Sequence, residues 1–287
     1  MKRTALVLQG GGLRGVFVAG VLDVFLENNI EFEVIFGTSA GALAGISYVT
    51  KQQGLTFKIL CDYRRDRRFG SVSNLLKTRS YFNADYLFND ILVGGVGFDF
   101  EKFEASPIQF YSVTTSLKDG RACYFSKERE DFFTSCLNAS MSLPLMASPI
   151  EIDGELHLDG GNSEPIPFSR PIELGYEKIV IVETRENEYQ KKPSKAPINA
   201  LNKRLYSNYP IYLKAVLDYS NLYNKKILEI KKLEREGRVF VIRPLEKVEV
   251  SRTEKNKMKL RDLYEKGRKV ATDSLESLKG YLNGSQQ

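Results

Sequence analysis

Three short segments carry residue types that can do chemistry: Gly10-Gly11-Gly12-Leu13-Arg14-Gly15, Gly37-Thr38-Ser39-Ala40-Gly41 and Asp159-Gly160-Gly161. The second fits G-x-S-x-G, in which flanking glycines permit the sharp, strained turn that exposes a serine hydroxyl. The plainer reading is a helix cap, because Thr38 and Ser39 are both good N-cap residues. A nucleophilic serine of this kind usually takes its base from a histidine downstream of the acid. The chain has one histidine, His157, and it lies two residues before Asp159. The order serine, acid, histidine is therefore excluded. Either Ser39 is not a nucleophile or an aspartate is its base.

The glycine segment follows an apolar run and opens a helical one. Gly10, Gly12 and Gly15 formally satisfy G-x-G-x-x-G, the dinucleotide fingerprint. Such a loop lets backbone N–H groups converge at a helix N-terminus, where negative charge is favoured, whether a pyrophosphate or an oxyanion. Two features weigh against a nucleotide. Arg14 crowds a turn that approaches pyrophosphate through backbone alone, and Glu31 and Glu33 lie before and early in the second strand rather than at its end. Asp159 sits at a predicted strand end with glycines after it, which is also the composition of a simple Asp-Gly turn. His157 shares its strand face and is expected to be a packed neighbour.

The elements that must position these residues follow from periodicity. Ala5 to Leu8 and Phe32 to Phe36 read as buried strands, and Val16 to Asn28 and Ala40 to Lys51 as helices. Strand, helix, strand, helix at this spacing implies a parallel sheet with right-handed crossovers. Further on, Ile108 to Thr115 and Ala122 to Phe125 read as strands joined by a turn at Lys118-Asp119-Gly120, and Asp131 to Ala139 as a short helix. Glu155 to Leu158 and Lys178 to Glu183 are further strands. Residues 184–200, with Lys, Pro and Ser, read as a linker. Beyond them come a long or broken helix from Tyr206 to Glu236, a strand at Val239 to Ile242 and a final helix from Lys255 to Tyr281.

The net charge of +6 is unevenly placed. Residues 1–189 hold 19 Lys+Arg against 25 Asp+Glu, and residues 190–287 hold 23 against 11, so the halves carry −6 and +12. A solvated helical face explains much of that; contact with an anionic membrane explains it too, with Tyr212, Tyr219 and Tyr223 spaced for one helical face or packed in a core. Nucleic acid is not expected, because no recognition motif accompanies the charge. Cys61, Cys123 and Cys136 show no ligand spacing and fit reduced thiols of a cytoplasmic protein, so neither a metal nor a cofactor is expected. No signal-peptide core and no apolar stretch of membrane-spanning length is apparent.

Taken together, the three segments resemble the patatin-like phospholipases, which pair a glycine-rich loop, a G-x-S-x-G elbow and an Asp-Gly-Gly motif. A fourth block agrees, Ala139-Ser140-Met141-Ser142-Leu143-Pro144, and Asp62-Tyr63-Arg64-Arg65-Asp66-Arg67-Arg68-Phe69 is similar to a bacterial branch. The resemblance implies an α/β three-layer sandwich with a mostly parallel central sheet. It implies a catalytic domain over residues 4–185, followed by a basic, mostly helical extension over 186–287. It further implies a Ser39–Asp159 dyad, with Gly160 and Gly161 beside the acid and Gly37, Thr38, Ala40 and Gly41 shaping the elbow. The loop from Gly10 to Gly15 would form the oxyanion hole through the N–H groups of Gly11, Gly12 and Leu13. Arg14 would stabilise that loop or meet a lipid phosphate. The expected activity is serine acyl hydrolysis of phospholipid or lysophospholipid esters. A non-catalytic lipid-binding module and a nucleotide-binding protein are the alternatives.

Overall fold

The protein is described by a computed structural model, covering residues 3–63 and 66–284. Arg64 and Arg65 of the segment from Asp62 to Phe69 lie outside the described residues. Eight strands form one sheet: β1 (Thr4–Leu8), β2 (Val34–Thr38), β3 (Gln109–Ser116), β4 (Ala122–Ser126), β5 (Ile150–Ile152), β6 (Glu155–Asp159), β7 (Lys178–Val182) and β8 (Val239–Ile242). The helices are α1 (Gly15–Glu27), α2 (Ala40–Val49), α3 (Leu55–Asp62), α4 (Val72–Thr78), α5 (Phe100–Ala105), α6 (Asn138–Met141), α7 (Ser169–Glu173), α8 (Ala196–Leu205), α9 (Pro210–Arg235), α10 (Lys257–Asp273) and α11 (Leu275–Asn283). Hydrogen-bonded neighbours follow the path β5-β6-β3-β2-β1-β7-β8, with β4 also on β3.

The central strands are apolar throughout because both sheet faces are covered. Side chains alternate across β1: Leu6 and Leu8 pack on one side with α1, α2 and α10, while Ala5 and Val7 pack on the other with Tyr223, Ile230 and Leu233 of α9. This is the expected three-layer α/β sandwich. Parallel pairing joins β3, β2, β1, β7 and β8; β4, β5 and β6 pair antiparallel.

Register along β3 determines where the chemistry falls. β2 runs parallel to β3 and ends with Thr38 opposite Val113. β6 runs the other way and ends with Asp159 opposite Thr114. At Val113 both β2 and β4 are partners, and at Thr114 both β4 and β6 are, so β2 and β6 occupy the same edge of β3. The two strands therefore meet head-on. Their C-terminal ends, carrying Ser39 and Asp159, abut.

Residues beyond 186 complete the layers. β8 extends the sheet beside β7, α9 covers one face, and α10 lies along α1, tied by Tyr264 Oη donating to Asp23 at 2.7 Å and by Arg268 to Glu27 at 2.9 Å. Two sequence expectations need correction here. The stretch expected as a linker enters α8 at Ala196, with Pro197 in the first turn, where its missing N–H costs no helix bond. The final helix is broken at Ser274 into α10 and α11. Of the two readings of the tyrosines, packing in a core is the one observed: Tyr212 and Tyr223 are buried and Tyr219 is half-buried. The segment between α2 and β3 folds into α3, α4, α5 and a wide helical turn over Tyr86–Gly95.

Candidate active site

Ser39 closes β2 and opens α2 with φ 56° and ψ −124°, a left-handed conformation for a residue that is not glycine. Strain of this kind persists only where surroundings over-determine it. Here the Ser39 N–H donates to Ser140 Oγ at 3.0 Å, and Thr38 Oγ1 donates to the Glu164 carbonyl at 2.8 Å. Gly41 lets α2 lie against the Leu8 and Gln9 carbonyls, where any β-carbon would collide. Ser39 makes no capping hydrogen bond with its side chain. The helix-cap reading is thereby set aside, and the hydroxyl is left for another role.

Asp159 is buried, and its Oδ1 accepts the Gly161 N–H at 2.7 Å. Burial pushes its carboxyl up to about 6, while the Ser39 hydroxyl, the Gly161 N–H and the Arg252 charge pull it down. Ser39 and Asp159 line the same pocket. Oδ2 nevertheless lacks a partner of full hydrogen-bond geometry among the described residues. Hydrogen bonds at reacting centres commonly tighten only when substrate is bound. His157 is buried two residues earlier, paired with Thr114 Oγ1 at 3.0 Å and stacked edge-on against Phe125; burial lowers its pKa. It lines neither pocket beside Ser39.

The glycine loop from Gly10 to Gly15 passes beside Ser39. The Gly10 N–H bonds the Pro165 carbonyl at 3.2 Å, the Leu13 N–H the Arg252 carbonyl at 3.2 Å, and the Arg14 N–H the Gly11 carbonyl at 3.4 Å. The Gly15 N–H turns back onto Gly12 and Leu13. Leu13 is therefore corrected as an oxyanion donor, because its N–H already has a partner. The N–H groups of Gly11 and Gly12 remain available among the described residues. Gly12 has φ 57° and presses against the backbone of Arg252, so the loop conformation depends on glycine there.

Two pockets flank Ser39. One is mainly apolar, lined by Leu43, Leu60, Phe69, Phe82, Leu87 and Met141 among others. The other holds Gly11, Gly12, Asp159, Tyr219 and Arg252, with Ile198 and Asn202 of α8 at its wall. Residues to which sequence reasoning gave no site role thus enter the site: Ser140, Asn162, Tyr219 and Arg252. Asn162 Nδ2 donates to Tyr212 Oη at 3.3 Å, which ties the loop after Asp159 to α9. None of the C-terminal residues lies in a motif; only proximity in the folded chain reveals them.

Residues 6–172 match the family described as patatin-like phospholipase, and residues 209–283 match a domain of unknown function, DUF6363. The chain belongs to the patatin-like phospholipase family. It is 26% identical over 196 residues to the uncharacterized protein YjjU of Escherichia coli, which covers 63% of this chain and 52% of that protein. It is 29% identical over 188 residues to lysophospholipase nte1 of Aspergillus niger, covering 63% of this chain and 12% of that one. The chain thus spans about half or less of the length of these relatives. Among solved structures, VipD of Legionella pneumophila aligns over 96% of this chain and 67% of its own, at TM-score 0.49 and 11% identity.

Proposed function

We propose that this chain hydrolyses carboxylic esters of phospholipid or lysophospholipid type, with Ser39 as nucleophile and Asp159 as its base. The observation that carries the reading is the head-on meeting of β2 and β6, which sets a strained serine beside a buried carboxyl poised at about 6. A base near working pH is both ionised enough and basic enough to take a proton in the transition state. Asp159 accepts the Ser39 hydroxyl proton as Oγ bonds to the ester carbonyl carbon. The developing oxyanion is held by the Gly11 and Gly12 N–H groups. The C–O bond to the alcohol then breaks, the alcohol leaves with the proton from Asp159, and water activated by the same carboxylate cleaves the acyl-enzyme. The apolar pocket suits an acyl chain. Family membership and relatives named lysophospholipase support the same class.

The reading is tested by labelling with a fluorophosphonate and by ester hydrolysis in wild type, Ser39→Ala and Asp159→Asn. Labelling at Ser39 together with loss of turnover in both variants is expected. Near-wild-type turnover in either variant refutes the dyad.

The same reading includes peripheral contact with anionic lipid from the cytoplasmic side. Three free cysteines favour a reducing compartment. The basis for lipid contact is α8, where Ile198, Leu201 and Leu205 are exposed on one side of the helix, with Lys203 and Arg204 beside them, at the wall of the polar pocket. Among the described residues no helix is long and apolar enough to cross a membrane. Sedimentation with vesicles that is indifferent to anionic lipid and to salt would exclude the contact.

A further inference from the structure

The polar pocket beside Ser39 has a cluster of cationic side chains at and behind its wall, with Asp159 as the carboxylate that shares it. Arg14 is only 6% exposed, and its Nε has no hydrogen-bond partner among the described residues. Arg185 also leaves a buried Nε unpaired. Arg252 lines the pocket and donates to Tyr219 Oη at 3.3 Å. Lys191 is pinned by a double hydrogen bond between its backbone and Asn224, and its ammonium sits 4.6 Å from the centre of the Tyr219 ring. The groups acting most strongly on Arg14 and Lys191 after burial are other cations: Arg185 and Arg252 on Arg14; Arg252, Arg14 and Arg185 on Lys191. Burial and this mutual repulsion lower Arg14 to about 10 and Lys191 to about 7. The carboxylate felt by Arg252 is Asp159 itself.

Clustered, partly desolvated cations with unpaired donors are costly unless an anion joins them. The place where that anion would lie follows from the ester. With the acyl chain in the apolar pocket, the alcohol half projects to the side of Asp159 and Arg252. A phosphate carried on that alcohol lies within a few bonds of the reacting oxygen. Its several oxygens suit a guanidinium fork and an ammonium approaching from different sides.

We infer that Arg252 and Lys191, backed by Arg14 and Arg185, form a phosphate subsite that selects esters whose alcohol carries a phosphate. The inference rests on the hydrolase reading of Ser39 and deepens it. Arg252 and Lys191 both lie outside the segment that matches the patatin-like family, so the subsite is built by the C-terminal region.

The test compares a lysophospholipid with a monoacylglycerol of the same acyl chain, both below their aggregation concentrations, in wild type, Arg252→Gln, Arg252→Lys and Lys191→Gln. Arg252→Gln and Lys191→Gln should lower kcat/KM on the phosphate ester about tenfold or more beyond any loss on the neutral ester. Arg252→Lys should recover part of that difference, because charge is kept and the fork is lost. Equal losses on both esters overturn the subsite and leave a structural role for Arg252. In parallel, binding of inorganic phosphate is measured by calorimetry, independently of turnover. Phosphate binding that weakens in Arg252→Gln supports the subsite even if no ester is cleaved, which would instead count against the hydrolase reading. Phosphate binding without any ester preference assigns the site to free phosphate and refutes the headgroup. Absence of both overturns the inference.

Discussion

Asp159→Asn separates function from stability in a measurable way. The side chain is buried, and keeping it ionised in that place opposes folding. The carboxyl moves from an ordinary 3.8 to about 6 on folding, so between these values the folded state binds more protons than the unfolded one. Stability therefore falls as pH rises through that window; below about 3.8 the penalty is absent, and above about 6 it is complete. The full penalty amounts to about 3 kcal/mol. At pH 5 it is roughly half of that, because the folded carboxyl is then largely protonated. The amide is nearly isosteric, carries no charge and can still accept the Gly161 N–H. Asp159→Asn should thus be more stable than wild type by up to about 3 kcal/mol at pH 8, raising Tm by on the order of 5–10 °C, with about half that gain at pH 5. Ester hydrolysis should fall by about a thousandfold or more, since the base is gone. Thermal melts at the two pH values, run beside a nitrophenyl ester assay, read both effects. A variant that is less stable at pH 8, or whose gain does not shrink toward pH 5, would refute the account of Asp159 as a carboxylate held ionised against its surroundings.

Four further outcomes follow from the same geometry. The wild-type kcat/KM should rise about tenfold per pH unit below an apparent pKa of about 6 and level off above it; a flat profile from pH 5 to 8 contradicts Asp159 as base. Ser140→Ala removes the acceptor for the Ser39 N–H, a loss of about 1–3 kcal/mol at a buried donor; kcat should drop about tenfold with KM changed far less, and a change in KM alone would argue against an elbow-positioning role. His157→Ala should lower thermal stability by about 1–3 kcal/mol through its lost packing and hydrogen bond, while hydrolysis stays within a few-fold of wild type; collapse of turnover in a folded variant would bring the histidine into the chemistry. Leu205→Glu places a charge on the exposed apolar side of α8 and should weaken sedimentation with anionic vesicles severalfold without altering hydrolysis of a short soluble ester; unchanged vesicle binding would remove α8 from the contact.

What was legible beforehand was local. The apolar runs of β1 and β2, the helices after them and the three glycine-bearing segments all carry their signal within a few residues, because strained turns demand particular residue types. The convergence of Ser39 and Asp159 was not local, and the residues suggest it only through resemblance to a family. Its physical basis is that β3 is long enough to take β2 and β6 end to end on one edge, a matter of register over residues 109–116 that no motif encodes. The same limit hid Ser140 as the partner of the elbow and Leu13 as a donor already bonded to Arg252.

Charge was the least legible quantity, and the reason is instructive. A count of +12 over residues 190–287 treats every lysine and arginine alike. In the folded chain they divide. Lys203 and Arg204 are exposed beside the apolar side of α8, whereas Arg252 lines the pocket that contains Asp159 and the half-buried Lys191 lies over the ring of Tyr219, which also lines it. An exposed lysine is screened by salt and contributes to long-range attraction; a partly buried one, its pKa lowered first by desolvation and then by neighbouring cations, acts over a few ångströms. The two groups therefore have different signatures. Salt should weaken vesicle association with little effect on the preference for a phosphate-bearing ester, and Arg252→Gln should do the reverse. A C-terminal region that both approaches an anionic surface and selects an anionic substrate needs its positive charge in these two places, and α8 and the segment joining β8 to α10 both reach the wall of the same pocket.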